Sequence, residues 1–201
     1  MRAERMIAFT DAVLAIIMTI LVLGLDLPDE LSFAGLWEMR AAFFAYCLSF
    51  IWIGSMWISL NSIWRHVKKV NGLIVWWNLI FLFFASFMPY ATELVSFNFN
   101  SSMPQAFYGF IVIMTSICNW VLHKLIEAPN AEENILLKRT KEYRTILLPD
   151  IIIKIIALIL SLTVYPPAMM YGVLAAAGYL QIAKAITTRL RIKHHSEFPE
   201  E

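Results

Sequence analysis

The residues with the clearest chemical potential are Thr10 and Asp11, which lie close to an uncharged apolar run. Residues 12 to 25 carry no charged side chain, so Asp11 falls about two turns inside a candidate membrane helix. A carboxylate in the centre of a spanning helix costs roughly 2.5–3.5 kcal/mol on insertion scales, and less near an end. Asp11 is therefore expected either to serve an ion or proton pathway or to join a polar network between helices.

Partners for Asp11 can be sought at the same depth, because each helical residue rises 1.5 Å. Asn61 approaches the end of the second apolar segment, and Asn78 lies about two turns into the third. A buried polar network is stable when its members satisfy one another. We expect one cluster of Thr10, Asp11, Asn61 and Asn78, joined by an indole N–H from Trp57 or Trp77. A purely architectural role for this cluster is an equal alternative.

The first apolar segment also carries a stripe of large side chains. At 100° per residue the stripe contains Arg5, Phe9, Ala12, Ile16, Ile20, Leu23 and Leu27, with Val13 and Thr19 on its shoulders. Asp11 points almost the opposite way. An apolar stripe commonly contacts lipid or packs on a neighbouring helix, but several copies facing one another would enclose an axis. Hydrophobic constrictions of that kind can gate a pore by dewetting.

The composition is that of a membrane protein. The 201 residues are 60% hydrophobic and 15% charged, against about 25% charged in soluble domains. A helix needs about 20 apolar residues to cross a bilayer. The sequence predicts an all-α integral membrane protein, a single domain over residues 1–201 with six spans at about 6–27, 36–64, 72–96, 104–127, 146–165 and 168–188.

The distribution of basic residues predicts the orientation. Lysine and arginine in short loops stay on the cytoplasmic side. They cluster before span one, between spans two and three, between four and five, and after six: Arg2, Arg5, Arg65, Lys68, Lys69, Lys124, Lys138, Arg139, Lys141, Arg144, Lys184, Arg189, Arg191 and Lys193. Both termini are therefore predicted to be cytoplasmic.

Asp150 and Lys154 form a second charged feature, near the start of the fifth span. Their i, i+4 spacing allows the two charges to neutralise each other. We interpret them as a local solvation pair. No metal site or cofactor is expected, and the metalloprotease and nucleophile-elbow patterns H-E-x-x-H and G-x-S-x-G do not occur in the sequence.

The segment Arg5-x-x-x-Phe9-Thr10-Asp11 resembles the R-x-x-x-F-[ST]-D signature of the transmembrane protein 175 family of potassium channels. The continuation from Ala15 to Leu23, and stretches around Trp57, Trp77 and Asn78, resemble the family's first three helices. A histidine that many members carry late in helix two is Asn61 here. Spans four to six resemble the family in hydropathy alone.

The resemblance implies a potassium-selective cation leak channel that lacks a carbonyl selectivity filter and that passes K⁺ without a cofactor. Prokaryotic members have six spans and assemble as homotetramers in the bilayer, with the first helices lining the pore. By residue match, Ile16 forms the constriction, Ile20 and Leu23 form further layers, and Thr19 supplies a pore-lining hydroxyl. Arg5, Phe9, Thr10 and Asp11 would hold helices one to three together, supported by Asn61, Asn78, Trp57 and Trp77.

Two other classes of function remain open at this point. An ion- or proton-coupled secondary transporter could use Asp11 as its carrier, and it predicts that Asp11→Asn abolishes coupled flux with the fold intact. An intramembrane enzyme has less support, because no paired aspartates occur at one depth. Nothing in the sequence indicates a nucleic-acid partner.

Overall fold

The computed structural model describes residues 3–197, with side chains described through Arg189, and that range is helical without a strand. Arg2 and the side chains of Arg191 and Lys193 lie outside the described residues. The helices are α1 (Ala3–Ile20, extended by a 3₁₀ turn, Leu21–Gly24), α2 (Phe33–Glu38), α3 (Arg40–Trp64), α4 (Gly72–Ser86), α5 (Met88–Phe97), α6 (Ser102–Glu127, followed by a 3₁₀ turn, Ala128–Asn130), α7 (Asn134–Thr163) and α8 (Ala168–Glu197).

Six segments of the described range are long and apolar enough to cross a bilayer: Ala3–Gly24, Arg40–Trp64, Gly72–Phe97, Ser102–Asn130, Asn134–Thr163 and Ala168–Arg189. The predicted fold class, an all-α protein with six membrane-spanning segments, is confirmed. The chain is a multi-pass protein of the cell membrane.

The fifth segment differs most from its predicted bounds. We expected it to start near residue 146, after a polar stretch, but α7 begins at Asn134. The polar residues of its first turns have partners at the end of α6: Thr140 donates to Glu127 at 2.9 Å, and Arg144 pairs with Glu127 at 3.1 Å. These contacts support a helix that continues through residues 134–145, which hydropathy alone places before the start of the span.

The third segment is interrupted. Helix α4 begins after Asn71, whose side-chain oxygen accepts a hydrogen bond from the Ile74 N–H at 3.0 Å, as an N-cap does. It ends at Ser86, and α5 restarts at Met88 with Pro89 in its first turn. Proline fits the first turn because the N–H it lacks would have no helical partner there. The break brings α5 beside the C-terminal half of α1 and its 3₁₀ turn.

Helix α1 packs against α3, α4 and α5, and α6 joins this group to α7 and α8. The core between them contains large side chains with almost no exposed surface, among them Met6, Leu14, Phe81, Tyr108 and Met169. Helices α7 and α8 approach closely at Gly172, where an added Cβ would lie 2.1 Å from Ala157 Cβ. Helix α1 thus covers one side of the subunit core with one of its faces.

Candidate functional site: the first helix and its polar anchor

Helix α1 has one buried and one exposed face. Its buried residues recur every three or four positions, at Met6, Thr10, Leu14 and Ile17, which is the period of a helix packed on one side. The side chains of the predicted stripe lie on the other face: Phe9, Ile16, Ile20 and Leu23 are 50%, 57%, 42% and 78% exposed. Within a single subunit this apolar face is not covered.

Small and polar side chains accompany these large ones. Ala12, Ala15 and Thr19 are exposed on the same side of α1. The Thr19 hydroxyl donates to the Ile16 carbonyl of its own helix at 2.8 Å. Because its proton is engaged with the backbone, the Thr19 oxygen can act outward only as an acceptor, the role that a cation ligand requires.

The structure brings together four residues of the predicted polar cluster. The Asn78 amide donates to the Thr10 hydroxyl at 2.8 Å, and Thr10 donates to the Met6 carbonyl at 2.9 Å. The Trp57 indole N–H donates to the Asp11 carboxylate at 2.9 Å. A hydrogen bond to an ionised acceptor is stronger than a neutral one. Helix α1 is therefore joined to α4 through Thr10 and to α3 through Asp11.

Other predicted members of the cluster are not brought into it. Asn61 and Trp77 are half-buried, and their side chains make no hydrogen bond to Thr10 or Asp11 in the described part of the chain. Arg5 is exposed and belongs to none of the ion pairs found between residues 3 and 189. Of the two indoles considered at this depth, Trp57 is the one that reaches Asp11.

An open groove runs along the C-terminal half of the exposed face. Val13, Ile16 and Ile20 of α1 form one wall, and Tyr90 and Glu93 of α5 lie on the other. Sequence reasoning did not place α5 next to the stripe. The break between α4 and α5 is responsible, because it lets the second half of the third segment lie alongside α1.

Asp150 and Lys154 correct the sequence interpretation. They are not a local solvation pair, because they are 0% and 1% exposed and lie 2.6 Å apart in the middle of the subunit. The Lys154 ammonium also donates to Ser116 of α6 at 2.9 Å and sits 5.2 Å from the ring centroid of Trp52 of α3. The pair thus joins three helices.

A sequence signal for this burial exists along α7. Every buried residue of the helix follows an alternating spacing of four and three: Leu136, Thr140, Tyr143, Leu147, Asp150, Lys154, Ala157 and Ser161. The exposed positions of its apolar part are isoleucine and leucine, such as Leu148, Ile152 and Ile159. Asp150 and Lys154 both lie on this buried face, together with Ala157 and Ser161. This shared face would have predicted that the pair is buried inside the protein.

Among the described residues, no group of three or more histidine, cysteine, aspartate and glutamate side chains could hold a metal ion. The polar groups of the site are single carboxylates, amides, hydroxyls and indoles joined between helices. Such an arrangement can fix the positions of α1, α3 and α4 relative to one another.

Comparisons with known proteins identify relatives of this chain. A sequence profile described as "Endosomal/lysosomal potassium channel TMEM175" matches residues 5–89. This range contains the hydrogen-bonded residues Thr10, Asp11, Trp57 and Asn78 and the exposed stripe of α1. A protein of Chryseobacterium sp. (strain P1-3) named as a potassium channel is 40% identical over 151 residues, 73% of this chain and 79% of that protein. A Danio rerio protein named "Endosomal/lysosomal proton channel TMEM175" is 32% identical over 103 residues, 45% of this chain and 20% of that protein.

The fold also has a solved counterpart. A crystal structure described as a lysosomal potassium-selective channel TMEM175 homolog from Chamaesiphon minutus matches with a TM-score of 0.69 at 20% sequence identity, covering 90% of this chain and 97% of that one. The chain is therefore a prokaryotic member of the TMEM175 family, a family of ion channels and not of enzymes.

Proposed function

We propose that this protein is a potassium-selective cation leak channel in which four copies of α1 line a central pore. The observation that supports this proposal is the uncovered apolar face of α1, which carries Ile16, Ile20 and Leu23. The opposite face is fixed to α3 and α4 by the hydrogen bonds of Asp11 and Thr10. A helix held in this way presents its free face at a constant angle.

A pore explains the composition of that face better than lipid contact does. Ala12 and Ala15 lie on it beside the large residues, and small side chains allow helices to approach closely in a membrane. The lipid-exposed positions of α7, by contrast, are filled with isoleucine and leucine. Four copies of α1 can therefore meet closely, with Ile16 as the narrowest ring.

Selectivity would arise at the isoleucine rings, since the sequence has no T-V-G-Y-G segment to supply a carbonyl filter. A narrow apolar ring forces partial dehydration, and sodium holds its water more tightly than potassium because it is the smaller ion. The acceptor oxygen of Thr19, one turn from Ile16, would replace part of the lost hydration. In this arrangement Thr10, Asp11, Asn78 and Trp57 lie outside the conduction path and fix the position of α1.

The names of the relatives support potassium as the permeant ion and give the proton as the alternative. The Chryseobacterium protein is named as a potassium channel, and the Danio rerio protein as a proton channel. The bacterial relative matches far more of this chain. We therefore propose K⁺ as the ion carried, across the cell membrane, with both termini of each subunit in the cytoplasm.

The test is reconstitution into planar bilayers with potassium opposed to sodium, comparing the wild type with Ile16→Ala and Ile16→Asn. We expect a larger and less selective current in both variants, because each removes the apolar ring. Ile152→Ala is the matched control, since Ile152 is exposed to a similar extent on α7. Unchanged conduction in the Ile16 variants would remove Ile16 from the pore.

The same preparation separates the competing functions. A current that follows an imposed pH gradient and not the potassium gradient would identify a proton channel. Absence of currents together with a saturable, turnover-limited flux would identify a transporter. In that case Asp11→Asn should abolish coupled flux while the assembly stays intact.

A further inference from the structure

A groove opens between the ends of α3, α7 and α8, away from the exposed face of α1. It encloses about 190 Å³, which is room for a polar headgroup and not only for a single water. Its lining includes the basic groups Arg139 and Lys184 and the apolar side chains of Ile58 and Ile146. A ligand that fills this groove must therefore have an anionic and an apolar part.

Lys184 is a half-buried cation whose described contacts are neutral. Its ammonium donates to the Ser59 hydroxyl and lies 5.4 Å from the ring centroid of Tyr143. No ion pair in the described part of the chain includes it. Asp150 lines the inner cavity that Lys184 also borders, but Asp150 is already paired with Lys154. A charge withdrawn from water without an ion-pair partner is costly, so this position favours an anion.

The other charged groups of the groove limit the net charge of the anion that it can bind. The Arg139 guanidinium donates to the Ser62 carbonyl at 3.5 Å. Glu142 borders the same groove, so the described side chains of its lining include two basic groups and one acidic group. This balance suits a singly charged anion such as a phosphodiester and disfavours a multiply charged one.

The position of the groove along the helices indicates a lipid and not a soluble anion. It lies near the last turns of α3, beside the polar first turns of α7 and near the end of the apolar part of α8. That is the depth of headgroups, with Ile58, which is 61% exposed, continuing the apolar wall toward the acyl chains. Basic pockets between membrane helices on the cytoplasmic side commonly bind anionic headgroups.

We propose that this groove binds an anionic phospholipid, with Lys184 and Arg139 contacting the phosphodiester and Ile58 contacting an acyl chain. Its assignment to the cytoplasmic leaflet rests on the orientation given under the proposed function. The binding itself is independent of conduction. A protein that passes no potassium could still bind the lipid, and a conducting channel could lack the site.

The test is native mass spectrometry of the purified full-length protein in detergent, titrated with phosphatidylglycerol or with phosphatidylcholine of the same acyl chains. We expect phosphatidylglycerol to bind at least about tenfold more tightly. Lys184→Gln and Arg139→Gln should each remove most of that preference. Lys141→Gln is the matched control, because it removes the same charge from an exposed position on α7 and should leave binding unchanged.

Several results would overturn the proposal. Equal binding of the two lipids would exclude recognition of the anionic headgroup, and an equal loss in Lys141→Gln would indicate diffuse attraction to a basic surface. Displacement of the lipid by an equal concentration of glycerol 3-phosphate would indicate a soluble-anion site. If Lys184→Gln does not fold, Arg139→Gln decides, and Lys184→Arg should retain binding because it keeps the charge.

Discussion

At the scale of single residues, Asp11 shows how a costly group becomes part of the architecture. The carboxylate lies within a spanning helix, yet the Trp57 N–H reaches it at 2.9 Å from α3. Thr10, the preceding residue, binds Asn78 of α4. Two adjacent residues of α1 thus contact two different helices, and together they restrict both the tilt and the rotation of the helix that carries Ile16.

The indole N–H of Trp57 can be tested separately from its bulk. We expect Trp57→Phe to lower the free energy of unfolding by about 1–3 kcal/mol, because the carboxylate then lacks a donor. Thermal unfolding of the purified protein in detergent measures this loss. Trp76→Phe is the control, since Trp76 is 68% exposed and has no such bond. Equal losses in the two variants would show that the bond contributes nothing specific.

The sequence predicts the depth of this cluster but not which side chains complete it. Depth follows from the rise per residue, and Asp11, Thr10 and Asn78 were matched on that basis alone. Whether Trp57 or Asn61 faces Asp11 depends on the rotation of α3 about its axis, which is set by packing over the whole helix. Asn61 therefore shares the depth of the cluster without joining it.

At the scale of elements, α7 is the helix whose bounds differ most from the prediction. Its existence was predicted from the apolar run after Pro149, but its first turns depend on contacts with Glu127 of α6. Because residues 134–145 are largely polar, a hydropathy criterion leaves these turns outside the span. The buried face that carries Asp150 and Lys154, by contrast, is readable from the alternating spacing of its polar and small residues.

The buried pair of α7 gives a prediction for this element. Lys154→Met should lower the free energy of unfolding by about 3–5 kcal/mol, because it leaves an unpaired carboxylate in the interior. The double variant Asp150→Leu with Lys154→Met should recover most of that loss, since no charge remains buried. Denaturant titration in detergent of the wild type, the single variants Asp150→Leu and Lys154→Met, and the double variant measures the coupling.

Lys138→Met provides the control for this cycle, because Lys138 is exposed on the same helix. It should unfold like the wild type. A double variant as unstable as Lys154→Met would contradict the prediction. It would show that the pair is needed for something other than mutual neutralisation.

At the scale of the whole molecule, the described part of the chain has an uncovered apolar surface on α1. Its core is closed by six spans, but α1 leaves a row of apolar side chains on the outside, next to a groove formed with α5. The six spans follow from hydropathy, because each must bury about 20 apolar residues in lipid. The arrangement of subunits does not follow from hydropathy, because an apolar helix face can pack against lipid or against a neighbouring helix.

Thiol accessibility distinguishes those two environments of α1. In a variant whose native cysteines, Cys47 and Cys118, are replaced by serine and alanine, we introduce Leu23→Cys at the outer end of the stripe. If α1 lines the pore, a charged, membrane-impermeant thiol reagent added from the outer side should block most of the potassium current. A thiol in contact with pore water can ionise to the reactive thiolate, whereas a thiol among acyl chains stays protonated.

The same reagent should leave the current of Ile159→Cys unchanged, because Ile159 is exposed on α7 at a position expected to face acyl chains. Ile20→Cys, one turn deeper toward Ile16, should react more slowly than Leu23→Cys, since the rings narrow inward. A Leu23→Cys protein that conducts and does not react would place the stripe in lipid. A rate that is equal at Leu23 and Ile20 would mean that the constriction lies below both, or that the stripe forms no graded series of rings.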